Sequence, residues 1–241
     1  MQRATATEAA IRYDEVTKTF GDVTAVDEVS FEVKDGELLA LLGPSGSGKT
    51  TTLRMLAGFE TPTSGTISLA GKDVTRVPTH KRDTGMVFQD YALFPHMTVG
   101  ENIAFGLNRQ GITDDAVDDR IDEVLSLVDL DGFADRDPKT LSGGQQQRVA
   151  TARAIAIEPE VLLMDEPLGA LDKRLRDQLE VELTEIQEDL GITTLYVTHN
   201  QEEALTIADR SAVMNEGTIE QTAPPMELDE GPATEFVAAF V

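Results

Sequence analysis

Residues 43–51, Gly-Pro-Ser-Gly-Ser-Gly-Lys-Thr-Thr, are the stretch around which the sequence is organised. They follow the apolar run 38–42 and lead into residues 51–58, TTLRMLAG, which have the composition of a helix start. Glycine lacks a Cβ atom, so successive backbone N–H groups in such a stretch can point at one anion. A plain turn between a strand and a helix is the alternative, but it leaves the adjacent Lys49 and Thr50 unexplained.

The spacing of these residues is G-x-x-x-x-G-K-[ST], the P-loop pattern that cradles the phosphates of a nucleoside triphosphate. The positive N-terminal end of the following helix adds to such an anion site. Lys49 can supply charge to the β- and γ-phosphates, and the Thr50 hydroxyl can be a ligand of Mg²⁺. The predicted phosphate-binding residues are Gly43, Pro44, Ser45, Gly46, Ser47, Gly48, Lys49, Thr50 and Thr51.

Length and composition limit the remaining possibilities. A chain of 241 residues can bury a sizeable core. It contains no cysteine, which excludes disulfides and thiolate metal sites. No apolar run approaches the roughly 20 residues that cross a bilayer, and no signal-peptide pattern opens the chain. The sequence therefore predicts a soluble cytoplasmic polypeptide whose membrane role, if any, depends on a partner.

The net charge of −24, from 44 acidic and 20 Lys and Arg residues, is extreme. It argues against nucleic-acid binding, which needs a basic face. The carboxylates are spread along the whole chain rather than gathered in a tail. One hypothesis is a halophilic protein, adapted to a very salty cytosol in which the Debye length falls to about 3 Å at 1 M salt. The alternative is an ordinary soluble acidic protein.

The apolar pattern predicts an α/β core with an antiparallel N-terminal portion and a helical insertion. Residues 1–9 show no apolar period and are expected to fray, which leaves 10–241 as a single domain. Alternation over Ala10–Phe20 and Ala25–Val33 predicts two half-buried strands. A helical subdomain is expected at about 90–155, with Thr113 as the N-cap of its middle helix.

Further strands and helices are predicted on both sides of this insertion. Gly58 is expected to end the helix after residue 51, because glycine is a common C-cap. The remaining predicted strands are 65–69, 83–88, 161–164, 193–198 and a hairpin over 211–222 with its turn at Glu216-Gly217. The remaining predicted helices are 101–108, 113–129, 142–157, 172–190, 201–208 and 233–241.

Two adjacent carboxylates end the apolar strand 161–164. Successive side chains on a strand point to opposite faces, so Asp165 and Glu166 are expected to have different roles. We assign Asp165 to the metal and Glu166 to the attacking water as general base. A charged pair that merely ends a strand is the alternative.

A second glycine-rich helix start lies at residues 141–145, Leu-Ser-Gly-Gly-Gln. Ser142 is well placed as an N-cap, and Gly143 and Gly144 leave N–H groups accessible to an anion. By itself the stretch could be no more than a helix start. Together with the P-loop and the 161–166 segment, LSGGQQQR resembles the signature motif of the ATP-binding cassette (ABC) ATPases.

The resemblance to the ABC ATPases covers about residues 11–241, and it implies roles for further residues. Phe20 matches the aromatic residue that stacks on adenine, and Gln89 matches the Q-loop glutamine that reaches the Mg²⁺ and the water. His199 matches the switch histidine that contacts the γ-phosphate. The D-loop, residues 168–172, has Gly169 where serine is common, which weakens inference about communication between sites. His80 and His96 match no ligand role.

For this family the resemblance implies the P-loop NTPase ABC-ATPase fold, in which a RecA-like core carries an antiparallel β subdomain and an inserted helical subdomain. It also implies MgATP sandwiched between the P-loop of one subunit and Ser142, Gly143, Gly144 and Gln145 of a second ABC ATPase subunit. The implied protein is thus a dimer that ATP closes and hydrolysis opens.

Residues 93–107 and 214–241 resemble the importer ATPases that serve polyamines, iron(III), sulfate, molybdate, thiamine and maltose-type sugars. The resemblance implies two transmembrane permease subunits, an extracellular solute-binding protein acting indirectly, and a place at the cytoplasmic face of the membrane. The C-terminal regulatory domain of larger members is expected to be absent. A separate-chain exporter, a soluble non-transport ABC ATPase and a regulator without turnover are the alternatives.

Overall fold

The computed structural model describes residues 9–112 and 114–241. Within these residues the strands are β1 Ala9–Phe20, β2 Val23–Lys34, β3 Leu38–Leu42, β4 Ser64–Leu69, β5 Lys72–Asp73, β6 Thr84–Val87, β7 Val161–Asp165, β8 Thr193–Thr198, β9 Arg210–Asn215 and β10 Thr218–Ala223. The helices are α1 Lys49–Ala57, α2 Val99–Gln110, α3 Asp114–Leu127, α4 Gly143–Ala156, α5 Lys173–Leu190, α6 Gln201–Ile207, α7 Pro225–Glu230 and α8 Glu235–Phe240.

The central sheet has six strands in the order β10-β9-β3-β8-β7-β6. Strands β9, β3, β8, β7 and β6 run parallel, and β10 pairs antiparallel with β9. Every residue of β3, β7 and β8 is buried. This burial explains their unbroken apolar character, because a parallel sheet is covered on both faces. The predicted α/β class is confirmed.

The second sheet is antiparallel, with strand order β2-β1-β4-β5. The alternating residues of β2 that predicted a half-buried strand, Val26, Val29, Phe31 and Val33, are all buried. They belong to one apolar cluster with α1 and with one face of the central sheet. The antiparallel sheet therefore covers the helix that follows the P-loop.

Helices α2, α3 and α4 pack together and join the apolar cluster on the opposite face of the central sheet. The face predicted for α3 is buried: Val117, Ile121, Val124, Leu125 and Val128. A capping box between Thr98 and Glu101 starts α2 at Val99. The predicted N-cap Thr113 lies outside the described residues.

The C-terminal part contains one helix that the sequence pattern did not predict. The hairpin β9–β10 turns at Glu216-Gly217 as expected, and α8 lies within the predicted 233–241. Helix α7 was missed, although Pro225 is its first residue and Pro224 its N-cap. Proline is favoured at the first helical position, so the Pro-Pro pair was a usable signal.

Side chains from β1 and from the segment just before β6 hold helix α1 in place. The Tyr13 hydroxyl donates a hydrogen bond to the Thr52 carbonyl (2.7 Å). At the other end, the buried Arg82 guanidinium donates to the Met55 (2.7 Å) and Leu56 (2.6 Å) carbonyls. Gly58 ends the helix in a left-handed conformation, as predicted. These contacts fix the helix that positions Lys49 and Thr50.

In the part of the chain that the structure describes, no helix combines the length and apolar character needed to span a membrane.

Helix α5 carries a buried acid, Glu180. Its pKa is raised from 4.5 to about 7, mainly by burial and then by the negative charges of Glu203, Asp177 and Glu202. Arg176 acts in the opposite direction. The folded protein therefore binds a proton at Glu180 that the unfolded chain has released between about pH 4.5 and pH 7.

We predict that Glu180→Gln stabilises the protein increasingly as the pH rises. The unfolded chain ionises Glu180 above about pH 4.5 and the folded protein only above about pH 7, so this acid removes stability over that window, whereas an amide cannot ionise. Thermal unfolding should show Tm higher by roughly 2–4 °C at pH 8, with a difference that shrinks towards zero below about pH 4.5. Glu188→Gln, at an exposed position of the same helix, is the control. A Tm difference independent of pH would contradict the assignment.

Candidate functional site

The glycines of the P-loop are needed for two different reasons. Gly46 and Gly48 have φ of 83° and 102°, in the region that residues with a Cβ avoid. Gly43 has ordinary φ, but a Cβ there would lie 2.2 Å from the Met214 carbonyl oxygen. A Cβ at Gly48 would lie 2.5 Å from the Ala25 carbonyl oxygen. At Gly43 it is close packing against β9, rather than a positive φ, that excludes a side chain.

Lys49 is the first residue of α1 and lies against the loop. Its ammonium donates to the Gly43 (2.8 Å) and Pro44 (2.9 Å) carbonyls and to the Ser47 hydroxyl (3.3 Å). Burial lowers its pKa, while the charges of Glu166 and then Asp165 raise it. No side chain caps the start of α1, where the first N–H groups have no intrahelical partners. Positive charge and N–H groups thus converge on one side of the loop.

Thr50 and Asp165 meet between α1 and the end of β7. The Thr50 hydroxyl donates to Asp165 Oδ1 at 3.2 Å. Burial raises the Asp165 pKa, whereas the Thr50 hydrogen bond lowers it. The two side chains offer adjacent oxygen atoms, the donor type that Mg²⁺ prefers. The described residues hold no group of three metal-ligating side chains. This donor set fits Mg²⁺, which takes its other ligands from phosphates and water.

Glu166 does not lie on the strand, so the alternation argument for its direction is wrong. Strand β7 ends at Asp165, and Glu166 follows in a left-handed conformation with φ of 47°. Its N–H donates to the Val197 carbonyl of β8 at 2.9 Å. The separation of the two carboxylates therefore comes from a strained residue held by the neighbouring strand.

Two of the residues predicted to be catalytic converge on one oxygen atom of a third. Gln89 Nε2 donates to Glu166 Oε2 at 3.3 Å, and His199 Nδ1 lies 3.0 Å from the same oxygen. Gln89 follows β6, Glu166 follows β7 and His199 follows β8. Neighbouring parallel strands thus deliver all three side chains to the same edge of the sheet.

A cleft of about 230 Å³ lies over the P-loop. It is lined by Ala25, by Glu166 and by residues of the loop and α1 (Ser45, Gly46, Gly48, Lys49, Thr50 and Thr51). Phe20 is not part of this lining. It ends β1 with 46% exposure, and the Lys18 ammonium lies 4.6 Å from its ring centre. The sequence did not single out Ala25, whose carbonyl contact with Gly48 is visible only in three dimensions.

The Ser142–Gln145 segment also lies outside the lining of this cleft. Ser142 and Gln145 form a capping box at the start of α4. Gly143 and Gly144 face Leu171 and Leu175, because a Cβ on either glycine would lie 3.1 Å from a leucine side chain. The second glycine-rich helix start is thus packed against the 168–172 segment, apart from the P-loop of its own chain.

Comparison with known proteins identifies the family. The model of the ABC transporter family matches residues 26–169, more than half of the chain. This chain belongs to the ABC transporter family.

Similar curated proteins include import ATP-binding subunits. The chain is 56% identical over 232 residues to the spermidine/putrescine import ATP-binding protein PotA of Rubrobacter xylanophilus. It is 53% identical over 232 residues to the Fe(3+) ions import ATP-binding protein FbpC of Brucella abortus. Both matches cover 96% of this chain, which spans 62% and 66% of these relatives, respectively.

A dimeric ABC transporter cassette, MJ0796, is similar in structure. Its TM-score is 0.79 at 32% identity, over 89% of this chain and 98% of that one. A post-hydrolysis dimer of the same cassette, bound to ADP and Pi, gives a TM-score of 0.78 at 30% identity. The predicted ABC-ATPase fold class is confirmed.

Sequence reasoning missed one residue that shapes the Q-loop of this ABC protein. Tyr91 and Ala92 have left-handed φ of 61° and 46° just after Gln89. Arg153 of α4 donates to both of their carbonyls, at 2.8 and 2.7 Å. Burial lowers the Arg153 pKa. Arg153 belongs to an ordinary helical pattern, so only the tertiary contact reveals its role.

We predict that Gly48→Ala destabilises the protein more than Gly46→Ala. Both positions have positive φ, which costs roughly 1–2 kcal/mol in the free energy of unfolding. At Gly48 the new methyl group would also meet the Ala25 carbonyl, whereas at Gly46 no atom lies within 4 Å. The total loss at Gly48 should reach roughly 2–5 kcal/mol by urea unfolding. Equal losses would contradict this packing constraint.

Proposed function

We propose that this chain is the ATP-binding and ATP-hydrolysing subunit of an ABC importer. The observation that carries the proposal is the convergence of Gln89 and His199 on Glu166 Oε2, at a cleft that also contains Lys49. A nucleotide-binding protein without turnover would not need this arrangement. A carboxylate with two polar partners, beside a phosphate-binding loop, is suited to directing water at a γ-phosphate.

Nucleotide binding is assigned to the loop 43–51 and to Phe20. The N–H groups at the start of α1 and the Lys49 ammonium would receive the β- and γ-phosphates, in exchange for the carbonyl contacts that Lys49 makes within the loop. The half-exposed ring of Phe20 offers a face for adenine. Its neighbour Lys18 supplies positive charge next to that face.

Thr50 and Asp165 would hold Mg²⁺, with Gln89 reaching its water shell. The bound ion neutralises charge on the β- and γ-phosphate oxygens during phosphoryl transfer. Asp165 is buried beside the Thr50 hydroxyl, so its carboxylate has a fixed direction. Thr50 lines the cleft over the P-loop, and Asp165 is buried beside it.

Glu166 would act as the general base. Its carboxylate would accept a proton from the attacking water while His199 and Gln89 keep it oriented. The left-handed backbone at Glu166 and its N–H bond to Val197 limit the directions that the side chain can take. His199 is half-exposed, which also suits a contact with a γ-phosphate.

The active unit is proposed to be a dimer. The signature residues Ser142, Gly143, Gly144 and Gln145 do not line the P-loop cleft of their own chain. They would complete the ATP site of a second ABC ATPase subunit, most simply another copy of this chain. The similar cassette MJ0796 is dimeric, which supports this arrangement. Bridging by the γ-phosphate would favour the closed dimer, and hydrolysis would remove that preference.

The proposed direction of transport is import. PotA and FbpC, to which the chain is 53–56% identical, are import ATP-binding proteins for spermidine/putrescine and for Fe(3+) ions. By analogy the dimer would bind two permease subunits at the cytoplasmic face of the membrane. An extracellular solute-binding protein would deliver the solute to them. The permease and the binding protein, rather than this chain, would select the solute.

Salt is expected to affect this assembly. Each chain carries a net charge of −24, so two copies repel each other. Screening by salt, together with the bound nucleotide and metal, would offset that repulsion. The hypothesis of adaptation to a salty cytosol follows from the same charge.

We predict that Lys49→Ala abolishes MgATP hydrolysis by the purified protein. Removal of the ammonium takes away the positive charge that the γ-phosphate needs, and a loss of roughly 100-fold or more in rate is expected. Lys34→Ala, at an exposed position at the end of β2, is the matched control. Unchanged hydrolysis by Lys49→Ala would refute the phosphate-binding role of the loop.

We predict that Glu166→Gln accumulates as an ATP-bound dimer. The amide cannot accept the proton from water, so closure would no longer be followed by hydrolysis. Size-exclusion chromatography at saturating ATP, with and without high KCl, would measure the dimer. Glu160→Gln changes an exposed acid just before β7 and should behave as wild type. A variant that stays monomeric under all these conditions would contradict the sandwich model.

A further inference from the structure

Beneath His199 lies a buried carboxylate to which the proposed reaction assigns no role. Glu203 of α6 is 2% exposed. Its Oε2 accepts hydrogen bonds from the Thr198 hydroxyl (2.7 Å) and the Tyr196 hydroxyl (3.2 Å). Its Oε1 accepts from Asn200 Nδ2 (3.1 Å). One side chain thus bonds to three residues of the segment 196–200.

Two of these partners flank His199 directly. Thr198 ends β8, and Asn200 is the N-cap of α6. The Asn200 N–H also donates to the Thr198 hydroxyl at 3.0 Å, which closes a short bridge around His199. The His199 side chain itself is 53% exposed, so little packing restrains it. Its direction towards Glu166 therefore depends on the backbone, and the backbone depends on Glu203.

Only a carboxylate suits this place. Neutral side chains of similar size cannot accept hydrogen bonds at both ends, whereas a carboxylate is an acceptor at both oxygens. Its burial is costly, and one nearby cation, Arg176 at 3.4 Å, partly offsets that cost. A second acid, Glu180, faces it, and the Glu203 charge contributes to raising the Glu180 pKa to about 7. A residue needed for packing alone would be apolar.

We propose that Glu203 is a positioning residue for ATP hydrolysis, fixing the backbone on both sides of His199 so that Nδ1 faces Glu166. The inference rests on the proposed ATPase function. It assigns to Glu203 no contact with nucleotide or water.

Glu203→Gln tests the role while keeping the size of the side chain. An amide has one acceptor oxygen, so if it accepts from Asn200 its nitrogen must donate to the Thr198 or Tyr196 hydroxyl, which reverses the direction of these bonds and disturbs the arrangement around Thr198. If the backbone around His199 is no longer fixed, kcat should fall by roughly 10- to 100-fold. KM for ATP should stay unchanged, because the P-loop is not altered. Glu202→Gln is the matched control, since Glu202 is the exposed neighbour on the same helix and pairs only with Lys173.

Two readouts separate positioning from simple loss of stability. In a His199→Ala background, Glu203→Gln should lower kcat little further, because both changes act through the same imidazole. In NMR spectra the His199 ring signals, assigned by their loss in His199→Ala, should broaden or shift in Glu203→Gln. The ring signals of the other two histidines, His80 and His96, should stay unchanged.

A second variant covers the case in which Glu203→Gln does not fold. Asn200→Ser keeps a good N-cap but removes the donor to Glu203 Oε1, and it should lower kcat in the same direction by a smaller factor. Wild-type kcat in the folded variants, or additive losses with His199→Ala, would overturn the inference and leave the proposed function intact. Absence of hydrolysis by the wild-type chain would overturn both.

Discussion

The site depends on the register of three parallel strands. Leu42 of β3 lies beside Thr198 of β8, and Val197 of β8 lies beside Asp165 of β7. The residues that directly follow Leu42, Thr198 and Asp165 are Gly43, His199 and Glu166, respectively. Since carboxyl ends of parallel strands meet at one edge, the phosphate-binding loop, the base and its histidine partner are neighbours for topological reasons.

Residues with a strained backbone lie in the loops that carry the catalytic side chains at this edge of the sheet. Glu166, Tyr91 and Ala92 all have left-handed φ, a conformation that costs an ordinary residue roughly 1–2 kcal/mol. Each is held from outside: Glu166 by the Val197 carbonyl, and the other two by the Arg153 guanidinium. The strain is therefore maintained by neighbouring elements, and the Glu166 carboxylate contacts Gln89 and His199 whereas that of Asp165 contacts Thr50. Arg153 also ties the Q-loop to α4, the helix that begins with the signature motif.

Sequence reasoning worked where chemistry is encoded in adjacent residues. The P-loop, the Asp165-Glu166 pair and the signature start are short motifs, and the elements around them follow apolar periods of two or about 3.6 residues. It failed where the role of a residue arises from contact with a segment that is distant in the sequence. Arg153 is needed because of a turn some 60 residues earlier, and the approach of the Met214 carbonyl to Gly43, a glycine that the motif did predict, is likewise visible only in the structure. Nothing in the local sequence distinguishes Glu203 from the many other acids of the chain, so its burial is visible only in the structure.

Within one chain, a series of contacts links the signature motif to the segment around His199. Gly143 of the signature motif faces Leu171 of the D-loop, whose carbonyl accepts a hydrogen bond from Arg176 at 2.9 Å. The same guanidinium lies 3.4 Å from Glu203, which holds the segment around His199. In the proposed sandwich dimer the signature motif would touch one nucleotide and His199 would face the other. This series of polar and van der Waals contacts would then join the two nucleotide sites within each chain. This route does not use the side chain at position 169, so glycine there leaves it intact.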